Sequence, residues 1–366
     1  MVIRPIIYIL LSAALVSGCS RNIVDDSMAE PTISVNVEML ESKSLISPSN
    51  INTIGNTISV YDVHTKTSPT EADQSGSGLV QYLDGQILEY KNVEGVPVWT
   101  FVDGDGSSID IPWTKRGTHN FFAHNTYDAS SQTAIPVSVN YLSFEDDPAA
   151  YPTEKQQSLS LASWSITPQN QFDFVYASAE RDMITSTDPS VRYAPVQMNF
   201  THLFASVAFR ILVTSSESIT LKSFSIDNLY NTGQATINFD GTVDLVLSRT
   251  GTNSDFYRQN LNQLLASGKS LFVHSDIDKI GPDGAFLIWP HSRTNFADVS
   301  IYISYTVGKN NKPYTATGKL CELFSVNNWT AGSRYTYTIT IADEYVAYDV
   351  AEVIDWINND VDIEER

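Results

Sequence analysis

Cys19 is the residue whose position most clearly indicates a chemical reaction, because it follows the small residues Ser17-Gly18 at the end of a short apolar run. That run covers residues 6–16 and is preceded by Arg4. A basic start, an apolar core and small residues before a cysteine are typical of a lipoprotein signal peptide, after whose removal the cysteine sulfur is acylated. We therefore predict a signal peptide over residues 1–18 and a lipid anchor on Cys19.

The apolar run is too short to be a transmembrane helix. It has about 11 residues, roughly half of the number that a helix needs to cross a bilayer. Removal of the signal peptide, residues 1–18, leaves 348 residues (366 − 18). Each buried acyl methylene contributes about 0.8 kcal/mol, so several acyl chains on one cysteine would hold the protein firmly at a membrane. The alternative is an ordinary signal peptide that a cysteine follows by chance.

The other residues with catalytic or metal-binding side chains do not form a recognisable site. Six histidines are scattered along the chain, and His119 and His124 would face opposite sides of a strand because five residues separate them. Asp103-Gly-Asp-Gly resembles the start of a calcium loop, but Ser108 stands where such a loop needs glycine, which favours a hairpin turn. We predict no catalytic residue, no metal site and no cofactor, and we expect that the protein is not an enzyme.

Charge and cysteine content exclude two further classes of protein. Acidic residues outnumber basic residues by 42 to 22, which gives a formal net charge of −20. Such a surface repels nucleic acids, so we expect no nucleic-acid partner. The two cysteines are Cys19 and Cys321, and acylation of Cys19 leaves Cys321 without a disulfide partner. Stability must therefore come from core burial and sheet hydrogen bonds.

Sequence patterns typical of β-strands cover most of the chain. Any functional residue would therefore be positioned by strands or by the turns between them. Short runs, mostly of five to eight residues and rich in Val, Ile, Thr, Tyr and Phe, alternate between apolar and polar side chains, and Gly, Asn, Asp, Ser or Pro bound them. One helix is predicted at 253–266, with Asn253 or Ser254 as its cap and Gly268 as its stop. The predicted strands are 32–39, 57–63, 86–90, 96–102, 107–111, 119–124, 197–200, 205–214, 220–226, 233–239, 285–289, 298–307, 314–320 and 335–341.

The length of the chain indicates two domains. About 348 residues exceed what a single hydrophobic core usually organises. Residues 19–31 are polar and without pattern, so we predict a disordered tether there. The stretch 180–195 carries charges and two prolines and is the best place for a boundary. We therefore expect one all-β domain over 32–195 and a second over 196–366, each an antiparallel β-sandwich.

Five phrases, taken in order, resemble the sequence motifs of the fimbrillin families. Residues 116–125 (RGTHNFFAHN) resemble an "FyAy" strand, and 199–211 (NFTHLFASVAFRI) resemble an "F-x-H-l-x-A-x-v-x-F-x-v" strand. The closing phrase 329–341 (WTAGSRYTYTITI) is similar to "W-x-a-G-x-x-Y-x-Y-t-I-t-l". The remaining two phrases are 172–177 (FDFVYA), which is similar to "DllyA", and 287–291 (LIWPH), which departs at two positions from "l-I-P-Q".

The resemblance implies a subunit of a type V pilus, or fimbria, that serves cell adhesion. Its fold would be two tandem transthyretin-like antiparallel β-sandwich domains. It would travel to the outer membrane and the cell surface as a lipoprotein. A trypsin-like protease would then remove the N-terminal segment with its first strand, and the exposed groove would accept a strand from a neighbouring subunit. Partners would be other pilus subunits in a head-to-tail polymer, the outer membrane and a surface receptor.

The resemblance also suggests where the protease would cut. Lys43 follows the strand 32–39 and has the right place, whereas Arg21 precedes that strand. An arginine is more usual at such sites, so an ordinary loop lysine in an uncleaved anchor or accessory subunit is the alternative. A cut after Lys43 would remove the apolar side chains of the first strand, which are Ile33, Val35, Val37 and Met39.

The C-terminal region is the candidate for the donated strand. Residues 345–357 alternate well enough for one long strand or a strand pair. They could enter a neighbour's groove, or they could pair within their own domain. A glycan-binding surface lipoprotein is a further alternative for the whole chain, since six tryptophans and 18 tyrosines could stack on sugars. The possible donor residues are Val346, Tyr348, Val350, Val353, Trp356 and Ile357.

Overall fold

Extended segments with alternating apolar side chains form 21 strands and leave room for only three helices of four residues each among the described residues. The structure is a computed structural model. The predicted all-β fold class is confirmed. The described residues are 31–39, 51–53, 55–65, 79–113, 118–126, 137–141, 157–167, 171, 173–183, 188–249, 255–273, 285–343, 345–349 and 351–355.

The elements follow one another along the chain with mostly short connections. The three helices are α1 (Pro189–Arg192), α2 (Arg293–Phe296) and α3 (Leu320–Leu323). The strands are β1 (Val35–Met39), β2 (Thr57–Thr65), β3 (Leu79–Val93), β4 (Val96–Phe101), β5 (Thr118–Asn125), β6 (Val137–Tyr141), β7 (Gln157–Ser165), β8 (Val175–Asp182), β9 (Val196–His202), β10 (Ala205–Val213), β11 (Ile219–Asp227), β12 (Thr232–Asn238), β13 (Val243–Ser248), β14 (Asp255–Leu265), β15 (Ser270–Val273), β16 (Phe286–Ile288), β17 (Ser300–Val307), β18 (Lys312–Lys319), β19 (Ser333–Ile341), β20 (Val346–Tyr348) and β21 (Glu352–Asp355).

The strands form four sheets. A seven-stranded sheet has the order β1-β9-β8-β5-β2-β3-β4, and a four-stranded sheet has the order β13-β12-β7-β6. A second four-stranded sheet has the order β14-β11-β17-β18. The fourth sheet runs β15-β10-β19-β20, with β16 paired to β10 and β21 paired to β19. All pairings are antiparallel except β1 with β9 and β10 with β19, which are parallel.

Three apolar clusters hold these sheets together. The first-sheet core, which includes Val60, Phe121 and Met198, lies on one face of the seven-stranded sheet. A second cluster, which includes Phe122 and Leu159, joins the other face of that sheet to the sheet of β6, β7, β12 and β13. The third cluster is the largest and fills the space between the two remaining sheets. The apolar faces of the paired sheets therefore cover one another, as a sandwich requires.

Strand pairing crosses residue 195, where the sequence suggested a domain boundary. Strand β9 lies after that residue, yet it pairs with β8 and β1 in the seven-stranded sheet. Strand β12 lies further along the chain and pairs with β7. The predicted division into 32–195 and 196–366 therefore does not coincide with a division between sheets.

The helix predicted at 253–266 is wrong, because residues Asp255–Leu265 form strand β14. Leu261, Leu264 and Leu265 have the spacing of one helical face. In the structure Leu264 is 63% exposed and Leu265 is buried, because adjacent residues of a strand face opposite sides of the sheet. A bulge in the pairing with β11, at which Asn262 has a φ of 45°, disturbs the period of two. Pairing with β11 thus overrides the local spacing.

The strand predicted at 107–111 is also wrong. The carboxylate of Asp103 accepts hydrogen bonds from the backbone N–H groups of Asp105 and Ser107, at 3.0 and 2.9 Å. The chain therefore turns sharply here, and a single antiparallel bridge between Val102 and Ser108 replaces a strand. We call residues 102–113 the strap. They follow β4 in the chain and reach across to the residues just before β1, where Pro112 lies opposite Thr32.

Candidate functional site

The four apolar residues of the first strand share one buried face. Ile33 and Val35 are each 5% exposed, Val37 is 8% exposed and Met39 is 4% exposed, and all four belong to the first-sheet core. The residues between them, such as Asn36 and Glu38, are exposed. Burial of such a side chain contributes roughly 1.5–3 kcal/mol. The first strand therefore contributes an apolar face on which the first-sheet core depends.

The first strand is an edge strand. β1 pairs with β9 in parallel register from Val35 opposite Val196 to Met39 opposite Phe200, and β9 is its single neighbour in the sheet order. Just before β1, the backbone N–H of Val196 donates to the carbonyl of Ser34 at 2.8 Å. Removal of β1 would leave the backbone groups along β9 unpaired beside an apolar groove, and such an edge can accept another strand.

The C-terminal segment lies in a different sheet from the first strand. Strands β20 and β21 both pair with β19, on the side that β10 does not occupy. Val346 and Tyr348 pack against the largest apolar cluster. Val353, in contrast, is 49% exposed. The segment is therefore an intramolecular edge strand in this structure, and only part of its apolar surface is used.

Asp343 fixes the point at which the C-terminal segment begins. Its carboxylate accepts hydrogen bonds from the Ser215 hydroxyl at 2.6 Å and from the Ser216 backbone N–H at 2.7 Å. These hydrogen bonds hold the pKa of the Asp343 carboxyl below its usual value. No local sequence pattern marks Asp343, because its hydrogen-bond partners lie more than a hundred residues away along the chain.

Several residues named in the sequence analysis lie outside the described residues. Their assigned roles stay predictions. They are Cys19, Lys43, Val350, Trp356 and Ile357.

Four of the histidines are buried polar groups within the sheets. His119 Nδ1 lies 2.5 Å from the carboxylate of Asp62, and both side chains are fully buried. His119 packs edge-on against Trp113 in the first-sheet core, whereas His124 stacks on Phe174 in another cluster. The two histidines therefore lie on opposite faces of β5. No group of three or more His, Cys, Asp or Glu residues within the described ranges could hold a metal ion.

His124 and His291 are held in their neutral forms. His124 Nδ1 donates to the carbonyl of Asn125 at 2.7 Å, and Tyr61 Oη lies 3.3 Å from Nε2. His291 Nδ1 donates to the carbonyl of Trp289 at 2.6 Å, while Nε2 accepts from a backbone N–H at 3.2 Å. Burial lowers the pKa of each imidazole to about 4.

Acid should destabilise the fold through these two histidines. The unfolded chain binds a proton at each histidine near pH 6.5, whereas the folded chain does so only near pH 4. The neutral form of each buried histidine therefore stabilises the folded chain fully above pH 6.5, and this contribution to the unfolding free energy is lost as the pH falls toward 4. For His124→Gln, the difference in unfolding free energy between pH 7.5 and pH 4.5 should be about 2–3 kcal/mol smaller than in the wild type. Urea unfolding at both pH values tests this, and an unchanged difference would contradict it.

The segments that the structure describes contain no helix that is long and apolar enough to cross a membrane.

Comparisons with known proteins agree with the sequence motifs. Residues 49–356 match the model of a family described as fimbrillin-like. No protein with curated annotation matches the chain by sequence. Among solved structures, the chain is similar to a fimbrial protein from Bacteroides vulgatus, at 14% identity over 89% of this chain and 99% of that chain, with a TM-score of 0.50. This likeness shows a shared fold.

Two further solved structures resemble the chain more distantly. One is a candidate cell adhesion protein from Bacteroides ovatus, with 15% identity, coverage of 91% of this chain and 100% of that chain, and a TM-score of 0.47. The other is the fimbrial anchor protein Mfa2 from Porphyromonas gingivalis, with 13% identity, coverage of 89% and 98%, and a TM-score of 0.35.

Proposed function

The chain belongs to the fimbrillin-like family, and on that basis we propose that it is a structural, non-enzymatic subunit of a type V pilus that serves cell adhesion. It is exported as a lipoprotein through Cys19 and reaches the cell surface at the outer membrane. A protease then cuts after Lys43, and the subunit joins a head-to-tail polymer by exchange of strands. Repetition of one such contact gives an open filament.

The observation that carries this proposal is the first strand. It is an edge strand that contributes four buried side chains, and Lys43 follows it in the sequence, four positions after Met39. A cut after Lys43 breaks the covalent link between this strand and every other strand of the sheet. The groove left by its departure would expose apolar surface to water, which favours capture of a strand with the same alternation.

The donated strand would be residues 345–357. Their pairing with β19 involves two short strands of three and four residues, and such short edge pairings are the weakest parts of a sheet. Tyr345 is 64% exposed and Val353 is 49% exposed, so both side chains could bury more surface in a neighbour's groove. Release from β19 would cost the contacts of Val346 and Tyr348, which the neighbour's groove would replace.

Val353→Asp separates a donor role from an intramolecular one. Because Val353 is exposed, the substitution should change the unfolding free energy by no more than about 0.5 kcal/mol. In a neighbour's apolar groove, however, an unpaired carboxylate would be costly. After trypsin treatment of protein made without residues 1–19, we expect oligomers from the wild type and at least a tenfold loss of them from the variant, measured by size-exclusion chromatography.

Val246→Asp is the matched control, since Val246 is 69% exposed on β13, far along the chain from the donor segment. It should form oligomers as the wild type does. Oligomers from Val353→Asp at the wild-type level would place the donor elsewhere. If none of the three proteins forms oligomers, the chain is an uncleaved anchor or accessory subunit.

A further inference from the structure

The first strand is held at two places, at one by β9 and at the other by the strap. Its C-terminal half, from Val35 onward, pairs with β9. The residues before that half pair with the strap: Ile33 N–H donates to the carbonyl of Ile111 at 2.7 Å, and Trp113 N–H donates to the carbonyl of Pro31 at 2.9 Å. These contacts form an antiparallel bridge between Thr32 and Pro112.

The strap also joins β4, so it closes the gap between the two edges of the seven-stranded sheet. The N–H of Ile109 donates to the carbonyl of Phe101 at 2.9 Å. Ile109 and Ile111 pack against the first-sheet core, and Trp113 is only 4% exposed within it. Backbone hydrogen bonds therefore run from β4 through the strap to the first strand. The slot that the first strand occupies has one wall at β9 and a second wall at the strap.

Side chains of β3 hold the strap in place. Tyr82 Oη donates to the carbonyl of Pro112 at 2.6 Å. Gln86 Nε2 donates to the carbonyl of Val102, and Lys91 Nζ donates to the carbonyl of Gly106, each at 2.6 Å. All three acceptors are backbone carbonyls of the strap. These three hydrogen bonds from one neighbouring strand add to the contacts that the strap makes with β4 and with the first-sheet core.

We propose that the strap is a latch on the N-terminal end of the first strand, so that a cut after the strand frees the strand only when the strap opens. This proposal rests on the proposed function for its purpose, but the latch can be measured without a polymer. A cut near Lys43 loosens the strand at Met39, at the β9 end of the slot. The strand then peels from Met39 toward Ile33, and the bonds to Ile111 and Trp113 are the last to break.

The latch also selects the incoming strand. A strand that replaces the first strand must pair in parallel with β9 over one half and antiparallel with the strap over the other half. It therefore needs about nine extended residues, like 31–39, with apolar side chains at alternate positions on the face of the first-sheet core. A shorter strand would leave the strap unpaired and the slot partly open.

The test measures how fast the cut strand leaves the slot. A site for a specific protease is inserted between Lys43 and Ser44 of the full mature chain, and after cleavage the bound strand exchanges against an excess of labelled synthetic peptide with the sequence of residues 31–39. For Tyr82→Phe, which removes only the hydroxyl that holds Pro112, we expect exchange about fivefold faster than in the wild type.

Tyr90→Phe is the matched control. Tyr90 is on the same strand, and its ring packs against Trp99. Its exchange rate should equal that of the wild type. If Tyr82→Phe also exchanges at the wild-type rate, the strap does not hold the strand and the proposal is overturned.

A disulfide across the latch provides a second test. Thr32 and Pro112 are exposed and directly opposite each other between two hydrogen-bonded pairs, where Cα atoms lie about 4.5 Å apart, within disulfide range. In the oxidised Thr32→Cys/Pro112→Cys variant, cleavage should yield no oligomers, and reduction should restore them. Pro112→Cys alone, treated identically, controls for Cys321.

The two tests distinguish failure of the latch from failure of the proposed function. Oligomers from the oxidised double variant, at the wild-type rate, would show that the strand need not leave the strap and would overturn the latch. If the cleaved wild type forms no oligomers in any state, the proposed function fails, and the exchange rates of Tyr82→Phe and Tyr90→Phe still decide whether the strap is a latch.

Discussion

Val37→Asp should release the first strand from an uncut chain. Val37 is 8% exposed among the apolar side chains of the first-sheet core, and an unpaired carboxylate buried there costs several kcal/mol, about 3–5 by analogy with broken buried ion pairs. The substitution also forfeits the burial of the Val37 side chain itself, roughly 1.5–3 kcal/mol. The two losses together offset most of the roughly 6–12 kcal/mol that burial of the four apolar side chains contributes to holding the strand. We therefore expect the strand to detach locally, with a fall in Tm of roughly 10 °C.

Hydrogen exchange of the backbone N–H groups of residues 33–39 measures this detachment directly. Protection of these groups should fall by at least a hundredfold in Val37→Asp, while protection of β10 and β19 in the other sheet should change little. Asn36→Asp is the matched control, because Asn36 is exposed on the same strand, and it should behave as the wild type does. Equal protection in Val37→Asp and Asn36→Asp would show that the first strand is not held by its apolar face.

The same experiment bears on assembly. If departure of the first strand is what activates the subunit, uncut Val37→Asp should form oligomers at a concentration at which the uncut wild type stays monomeric. The proteolytic step and the strand-release step would then be separated in one protein. Persistence of monomers despite a detached strand would mean that the cut has a second purpose, such as removal of the tether.

Most strands could be predicted because their period of two depends on local sequence alone. The stretch 333–341 alternates without interruption and forms β19, with every second residue buried. A half-buried sheet imposes this alternation on any strand that lines a core. Strand β14 escaped prediction for the converse reason, because the bulge at Asn262 changes the period at one position. A helix and a bulged strand can present the same apolar spacing.

Partners of strands could not be predicted in the same way. The first strand pairs with β9, which lies 161 positions away when Val35 is matched with Val196, and nothing in either stretch specifies a parallel arrangement. For the same reason, the sequence does not show that strands before residue 195 pair with strands after it. Long-range pairing is decided by the total burial of all the sheets together, and a single sequence shows only which faces are apolar.

The strap shows a third kind of gap between sequence and structure. Residues 107–111 have the composition of a strand, but the turn at Asp103 limits them to isolated contacts with β4 and the first strand. A sequence pattern cannot distinguish a strand in the middle of a sheet from a segment that bridges two edges. The four inward side chains of the candidate slot were thus predictable, whereas its second wall was not.

Cys19→Ala should abolish anchoring at the outer membrane. Acylation requires the sulfur of this cysteine, and alanine offers no atom on which a thioether can form. Without acyl chains the protein loses about 0.8 kcal/mol for each methylene that would have been buried in the bilayer. The acidic chain, with its net charge of −20, would also be repelled by anionic headgroups. We expect an uncut precursor that is absent from the outer membrane.

Metabolic labelling with a fatty acid checks this result, and the chain contains its own control. Cys321 is the only other cysteine, and its thiol lies 3.7 Å from the carbonyl of Ala297 in a partly buried position. Cys321→Ala should therefore retain the label and the surface location, whereas Cys19→Ala should lose both. Label that persists in Cys19→Ala would show that the acyl chains are attached elsewhere and would overturn Cys19 as the lipid site. A wild type without label would remove the lipid anchor from the proposed function. The subunit would then have to reach the pilus as an ordinary secreted protein, and cleavage after Lys43 would serve strand release alone.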